Sequence, residues 1–181
     1  MKKYIFLITA ILLAGTAVLQ AQDQKFKTKI LVSSAGQSAD TKLVGMVLKK
    51  LKLSTSEVLL AKPSDLTGIE TLILVPGFSS KGLGAAGISI DQETARVKEL
   101  IQAAKQKNIP VICIHIGGTA RRKGNSDEFN KMVADVSKYI IVVKQGDEDK
   151  FFTNIGSGKK IPVKVVEKIA EISDELNKLF N

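Results

Sequence analysis

Short apolar runs alternate with longer segments of helical periodicity along this chain, and that alternation constrains the fold more than any other feature. The runs that predict strands lie at residues 29–33, 57–61, 71–75, 109–116 and 139–143. Helical spacing of apolar side chains predicts helices at residues 40–51, at residues 91–107, after Ser126 and from Pro162 onward. The last helix would carry on its buried side Val165, Ile169, Ile172, Leu176 and Leu179.

Strands that are apolar on both faces are typical of a parallel sheet covered by helices on both sides. Right-handed crossovers between such strands give a three-layer, doubly wound α/β architecture. We therefore predict one domain with a five-stranded parallel sheet in the flavodoxin-like order 2-1-3-4-5. No internal repeat or interdomain linker interrupts the pattern.

The first 21 residues are predicted to be a cleaved signal peptide. Lys2 and Lys3 precede an apolar stretch at residues 4–19, and Ala21 is a small residue before the expected cleavage point. The apolar stretch is shorter than the ~20 residues of a membrane-spanning helix, so no stable membrane anchor is expected. We expect the mature domain, residues 22–181, to be periplasmic or secreted. Whether it meets a transporter or another membrane partner is left open.

Composition excludes several partners and cofactors. Without the leader, 25 Lys and Arg side chains stand against 18 Asp and Glu. They are dispersed except at residues 121–123, where no aromatic residues interleave, so nucleic acid is not an expected partner. Cys113 and His115 are the only residues of their types, which excludes a conventional His and Cys metal site. We expect Cys113 to be a buried structural thiol and no flavin or other cofactor to be bound.

Polar loops follow the predicted strands at one edge of the sheet. They lie at residues 33–40, 76–88, 115–127 and 145–149. The loop at residues 76–88 is rich in glycine and has roughly a dozen residues, whereas a strand-to-helix connection usually takes 2–6. The connections at the opposite edge, such as residues 107–108, are short. Because ligands of doubly wound folds bind outside the carboxyl ends of the strands, this asymmetry indicates a binding site.

The residue types in these loops suit a small carboxylate or phosphate. The start of the first helix offers free backbone N–H groups and a positive dipole end, and Lys81, Arg121 and Arg122 could add positive charge. The candidate ligand-binding residues are Ser34, Gly36, Gln37, Ser38, Asp40, Ser79, Ser80, Lys81, Gly82, His115, Arg121 and Arg122. The alternatives are an ordinary helix cap and two loop arginines that face solvent. Loss of either arginine is expected to weaken binding and to change stability little.

An enzyme is the alternative to a binding module. Residues 110–118 are distantly similar to the strand and turn of the class I glutamine amidotransferase-like superfamily, and His115 ends that strand. Such a hydrolase would pair His115 with Ser79 or Ser80. No nucleophilic cysteine occupies the turn, and no Gly-x-Ser-x-Gly motif is present. We therefore favour a His115 that orients a ligand or a loop, and we assign no catalytic residue.

Three strings of this sequence together resemble one bacterial protein family. They are residues 33–40, residues 77–88 with their GFSSKGLGAAGI string, and residues 115–122. The family they resemble consists of exported bacterial proteins and is known only as a domain of unknown function. The resemblance covers nearly all of the mature chain. It implies a small periplasmic domain and supplies no activity, substrate or cofactor.

Overall fold

The computed structural model describes residues 25–181, which form a six-stranded parallel sheet in the order β2-β1-β3-β4-β5-β6. The strands are β1 (Ile30–Ala35), β2 (Thr55–Glu57), β3 (Thr71–Pro76), β4 (Val111–His115), β5 (Tyr139–Val143) and β6 (Val163–Val166). The helices are α1 (Asp40–Lys50), α2 (Ser80–Ala86), α3 (Ile90–Gln106), α4 (Asn125–Ala134), α5 (Phe151–Lys159) and α6 (Ile172–Phe180). Single 3-10 turns lie in several of the connections.

The predicted α/β architecture is confirmed, and the predicted number of strands is wrong. The order 2-1-3-4-5 is present, but β6 pairs with β5 and adds a sixth strand at that edge. Helices cover both faces. Helices α3, α4 and α5 pack on the face that includes Leu72 and Cys113, whereas α1 and α6 pack on the face that includes Ile73. The result is the expected three-layer arrangement, flavodoxin-like overall.

The central strands are buried on both faces. Each residue of β1, β3 and β4 is buried, which explains why their sequences are mostly apolar and do not alternate. Cys113 lies in β4 with no exposed surface, and burial raises the pKa of its thiol. The prediction of a buried thiol is confirmed for this residue.

Two predicted elements need correction. The second strand was expected at residues 57–61, but β2 ends at Glu57 and the apolar residues 58–61 form a turn beside β1. The last helix was expected to begin at Pro162, but residues 163–166 form β6 and α6 begins at Ile172. Helical spacing in this segment is coincidental, because Val165 lies on a strand and is 38% exposed.

Helices α2 and α5 were not predicted. Helix α2 lies within the glycine-rich loop and begins after Ser79, whose side chain accepts a hydrogen bond from Gly82 N–H. Helix α5 lies in a segment that has the composition of a loop. The carboxylate of Asp147 accepts hydrogen bonds from the N–H groups of Phe152 (2.7 Å) and Thr153 (3.2 Å) and so caps the helix.

The predicted signal peptide, residues 1–21, lies outside the residues that the structure describes. Within residues 25–181, no helix is long and apolar enough to cross a membrane.

Candidate functional site

Three loops meet at the carboxyl edge of the sheet, where β1, β3 and β4 end. Gln37 and Phe78 form an antiparallel bridge between the first two loops, and Ser79 N–H donates to Gly36 O at 2.8 Å. The loop after β4 joins them because Arg121 Nη1 donates to Phe78 O at 3.2 Å. The topology therefore brings together the loops that the sequence singled out.

The carboxylate of Glu93 occupies the start of the first loop. Glu93 lies on α3 with no exposed surface, and its Oε1 accepts hydrogen bonds from Gly36 N–H (2.8 Å) and Gln37 Nε2 (3.0 Å). These are the donors expected to hold an external anion. The protein therefore fills this part of the edge with a negative charge of its own.

Arg96 balances that charge from the next turn of α3. Its Nε and Nη2 contact the two carboxylate oxygens of Glu93 at 2.8 and 2.7 Å. The same guanidinium donates to Ala61 O (2.9 Å) and Ser34 O (2.6 Å), which ties α3 to β1 and to the turn after β2. Sequence reasoning missed this pair. Its signal was that Glu93 shares the helical spacing of the buried residues Val97, Leu100 and Ala104.

The first loop passes very close to the second at Gly36. Its φ of +105° is a conformation that side chains with a Cβ rarely adopt. A Cβ added there would lie 2.6 Å from Gly77 O, so substitution would separate the two loops. The next residue, Gln37, is left-handed at φ 60° and directs its amide toward Glu93.

Arg122 is fully engaged by groups of its own chain. It is 6% exposed, and its Nε and Nη2 donate to Asp127 at 2.7 and 3.3 Å. Its Nη1 and Nη2 donate to Asp149, both at 2.9 Å, and Nη1 also donates to Gly146 O. Phe151 lies under the guanidinium at 4.4 Å. All five N–H donors are thus used, so Arg122 holds the loops after β4 and β5 together.

The charge of Arg122 also acts on the two carboxyl groups that it joins. Hydrogen bonds from the guanidinium hold the pKa of Asp149 well below its usual range. At Asp127, partial burial opposes the effect, but the hydrogen bonds from Arg122 and Asn130 keep the net pKa lowered. The alternative in which both arginines face solvent is wrong for Arg122. That its loss would change stability little stays a prediction, and the paired, enclosed guanidinium argues against it.

Arg121 keeps donors free. Its Nε donates to Ser38 Oγ (3.2 Å) and its Nη1 to Phe78 O (3.2 Å), and the side chain is 31% exposed. Nη2 makes no hydrogen bond to any residue between 25 and 181. The side chain crosses Gly117, where an added Cβ would lie 2.1 Å from Arg121 Cγ. The neighbouring arginines therefore differ: one is saturated and the other is only partly bonded.

Asp40 lies beside Arg121 and is incompletely paired. Its Oδ2 is 3.9 Å from Arg121 Nε, which is too long for a hydrogen bond. That oxygen is buried and has no hydrogen-bond partner in the part of the chain that the structure describes. The carboxylate of Asp40 and the guanidinium of Arg121 attract each other but form no hydrogen bond. A bound anion can therefore compete with Asp40 for the guanidinium.

His115 is enclosed rather than accessible. The ring has no exposed surface and lies 4.9 Å from the ring of Phe152. Nδ1 faces Asn130 Oδ1 at 3.2 Å, and Nε2 faces Gly118 O at 3.3 Å. Asn130 is fixed in that orientation because its Nδ2 donates to Arg121 O and Asp127 Oδ1. Burial lowers the pKa of His115, and the charge of Arg122 adds to that effect.

The serines of the enzyme alternative do not pair with this histidine. Ser79 Oγ caps α2 at 3.1 Å from Gly82 N–H, and Ser80 is exposed. Neither hydroxyl is a hydrogen-bond partner of His115, whose two nitrogens face Asn130 and Gly118. The hydrolase hypothesis needs a nitrogen of His115 that faces a serine hydroxyl. Both ring nitrogens instead face groups around the loop after β4, which fits a histidine that positions this loop.

The remaining candidates lie on the outside or in the framework of the edge. Lys81 is exposed at the start of α2. Ser34 is buried in β1, and its hydroxyl finds no partner among the residues described. Between residues 25 and 181, no group of three or more His, Cys, Asp and Glu side chains is placed to hold a metal ion.

Comparisons with known proteins give one family and one weak structural likeness. A family model described as "Domain of unknown function (DUF6305)" matches residues 27–180. Comparison with curated proteins gives no match. Among solved structures, a mutant of the esterase AlinE4 is similar over 84% of this chain and 81% of its own, at 10% identity and a TM-score of 0.28. A likeness at that level carries no argument about activity.

Proposed function

Because this chain belongs to the family described as domain of unknown function DUF6305, whose description names no activity, we propose its function from the carboxyl edge itself. The protein is a small-molecule binding module that takes a carboxylate or a phosphate at the rim of that edge, and Arg121 is its principal contact. It turns no substrate over.

The partial hydrogen bonding of Arg121 carries this proposal. A guanidinium binds carboxylates and phosphates through parallel N–H donors on two of its nitrogens. Among residues 25–181, Nη2 of Arg121 has both of its donors free and Nη1 has one. Ser38 and Phe78 hold the rest of the group in place. A preorganised guanidinium binds with a smaller loss of side-chain entropy than a free one.

The charges around Arg121 support an anion rather than a cation. Lys81 is exposed at the start of α2, three residues beyond Phe78 in the chain. Asp40 opposes the anion, but its contact with Arg121 is loose at 3.9 Å. Glu93 and Arg122 have no part in the contact, because both are already paired within the framework of the loops.

Titration of the purified protein with inorganic phosphate and with succinate tests the proposal. Calorimetry should show binding of at least one probe, and Arg121→Ala should weaken it by about 10- to 30-fold, since a charge-assisted pair at a partly exposed site is lost. Asp40→Asn should tighten binding by about 3- to 10-fold, because it removes the competing carboxylate.

A matched control is Lys123→Gln, which removes one exposed positive charge from the same loop. It should leave the affinity within about twofold of the original, since a charge at the solvent boundary is screened. If neither probe binds, or if Arg121→Ala and Lys123→Gln have equal effects, the proposal is wrong.

We also propose that the protein acts outside the cytoplasm, on the evidence of the leader-like residues 1–21. Intact-mass measurement on protein from its native host tests this. A mass that corresponds to a chain beginning at Gln22 supports export, and a mass that corresponds to a chain with its leader retained contradicts it.

A further inference from the structure

A cavity of about 620 Å³ lies at the amino edge of the sheet, opposite the proposed anion site. The connections α3–β4, α4–β5 and α5–β6 surround it. A second depression of about 380 Å³ shares Asn108, Ile109 and Pro110 with it and continues along the edge. The larger volume falls within the range of roughly 300–1,000 Å³ that is typical of small-molecule pockets.

Apolar side chains from three helix ends line much of this cavity. Ile101 comes from α3, Val136 follows α4, and Ile161 follows α5. Val136 is 40% exposed, although it is a large apolar residue. An exposed apolar side chain at the wall of a concave site offers contact area to an apolar ligand.

Lysines lie among the lining residues. Asp135 is the one carboxylate in the lining, and its Oδ2 contacts Lys131 at 2.6 Å while its Oδ1 lies 3.6 Å from Lys159. Two lysines offset its charge, but Oδ1 is buried and accepts no hydrogen bond from residues 25–181. Lys105 and Lys138 make no ion pair or side-chain hydrogen bond to any residue between 25 and 181. The cavity therefore combines apolar walls with two lysines that have no ion-pair partner in the part of the chain that the structure describes.

We propose that this amino-edge cavity binds a medium-chain fatty acid, with the acyl chain against Val136, Ile101 and Ile161 and the carboxylate at Lys105 and Lys138. Charge complementarity selects an anion, and the apolar walls select an extended hydrocarbon over a compact polar acid. The inference is independent of the Arg121 site, because the two sites lie at opposite edges of the sheet.

Titration with decanoate, followed by NMR, tests the cavity directly. The backbone amides of Ile109, Val136 and Ile161 should shift on addition of decanoate, and those near Arg121 should not. Decanol, which has the same chain without the charge, should bind about 5- to 30-fold more weakly. Butyrate, which has the charge but lacks six of the methylene groups, should bind at least about 100-fold more weakly.

Variants of the lining residues test which side chains contact the carboxylate and which contact the acyl chain. The double variant Lys105→Gln/Lys138→Gln should weaken decanoate binding by about 5- to 30-fold, because two partly exposed charge contacts are lost. Val136→Asp should weaken it by at least about 10-fold, since it places a negative charge on the cavity wall. Lys164→Gln, which removes an exposed lysine of β6 outside the cavity, is the matched control and should bind decanoate as the original protein does.

Thermal unfolding of each variant confirms that it is folded, and these surface positions should leave the midpoint unchanged. The inference is overturned if decanoate shifts only the carboxyl-edge amides, if the lysine double variant and Lys164→Gln bind equally well, or if only anionic vesicles or acidic peptides bind the edge. Loss of phosphate binding in Arg121→Ala would leave this inference unaffected, so the two proposals fail separately.

Discussion

The two edges of the sheet differ in how far their polar groups satisfy one another. At the carboxyl edge, long loops place Glu93 against Gly36 N–H and use all five donors of Arg122. At the amino edge, short connections leave a cavity of about 620 Å³, where Lys105 and Lys138 have no ion-pair partner among residues 25–181. A loop rich in polar residues is therefore not by itself an open site, because those residues can bind one another.

The strongest test of the self-satisfied carboxyl edge is Glu93→Ala. The change leaves the buried charge of Arg96 and the N–H of Gly36 without their main partner, so the free energy of unfolding should fall by about 3–5 kcal/mol. Urea denaturation measures this. Glu99→Ala, an exposed glutamate on the same helix, should stay within about 0.5 kcal/mol of the original. Equal effects of the two changes would show that Glu93 is not a structural anion.

Arg122→Ala tests the clasp between the loops after β4 and β5. Removal of the guanidinium leaves Asp127 without an ion-pair partner among residues 25–181, leaves Asp149 with only Lys123 at 3.5 Å, and uncovers Phe151. The free energy of unfolding should therefore fall by about 2–4 kcal/mol. Arg122→Lys should recover little, since one ammonium cannot serve two carboxylates in bidentate geometry. Lys123→Gln is the reference in the same denaturation series. A loss below about 0.5 kcal/mol in Arg122→Ala would place this arginine among ordinary surface charges.

A smaller effect on the free energy of unfolding is expected from the titration of His115, because it involves the binding of a single proton. Its pKa is lowered by burial, so the folded protein keeps the ring neutral while the unfolded chain takes up a proton near pH 6.5. The contribution is complete above that pH and is lost as the pH falls below it. Between pH 7.5 and 5.5 the free energy of unfolding should decrease by up to about 1.4 kcal/mol.

His115 is the only histidine, so no other histidine titrates between pH 7.5 and 5.5. Arg122 lowers the pKa of Asp127 and Asp149, which keeps these two carboxylates ionised over that interval. Denaturation curves of His115→Gln should have a flatter pH dependence over the same interval. An unchanged slope in that variant would assign the dependence to other groups.

Elements that are buried on both faces were predictable from the sequence, and elements at the sheet edges were not. Strands β1, β3, β4 and β5 are mostly apolar without alternation, because each has neighbouring strands on both sides and helices on both faces. Strand β6 has one neighbouring strand, and its exposed Lys164 and Val165 give no alternation. The apolar residues after Glu57 predict a strand, but they pack as a turn. Carbonyl oxygens of this turn accept hydrogen bonds from Ser33, Gln37 and Arg96.

The same limit applies to the candidate site. Parallel topology alone brings the ends of β1, β3 and β4 to one edge, so the meeting of their loops was predictable. The partners were not, because Glu93 is 57 residues from Gly36 in the chain. Its helical spacing indicates that it is buried, but not which groups it contacts. Likewise, no local pattern distinguishes Arg122, whose donors are all used, from Arg121, which keeps donors free among residues 25–181.

Cys113 turns the buried centre of the sheet into a chemical reporter. Its thiol has no exposed surface, and its pKa is raised by burial, so an alkylating reagent cannot reach a reactive thiolate while β4 stays between β3 and β5. The rate of alkylation then follows the population of molecules whose central strands have separated. Because the chain has no second cysteine, a single mass increment counts those openings without any engineered label.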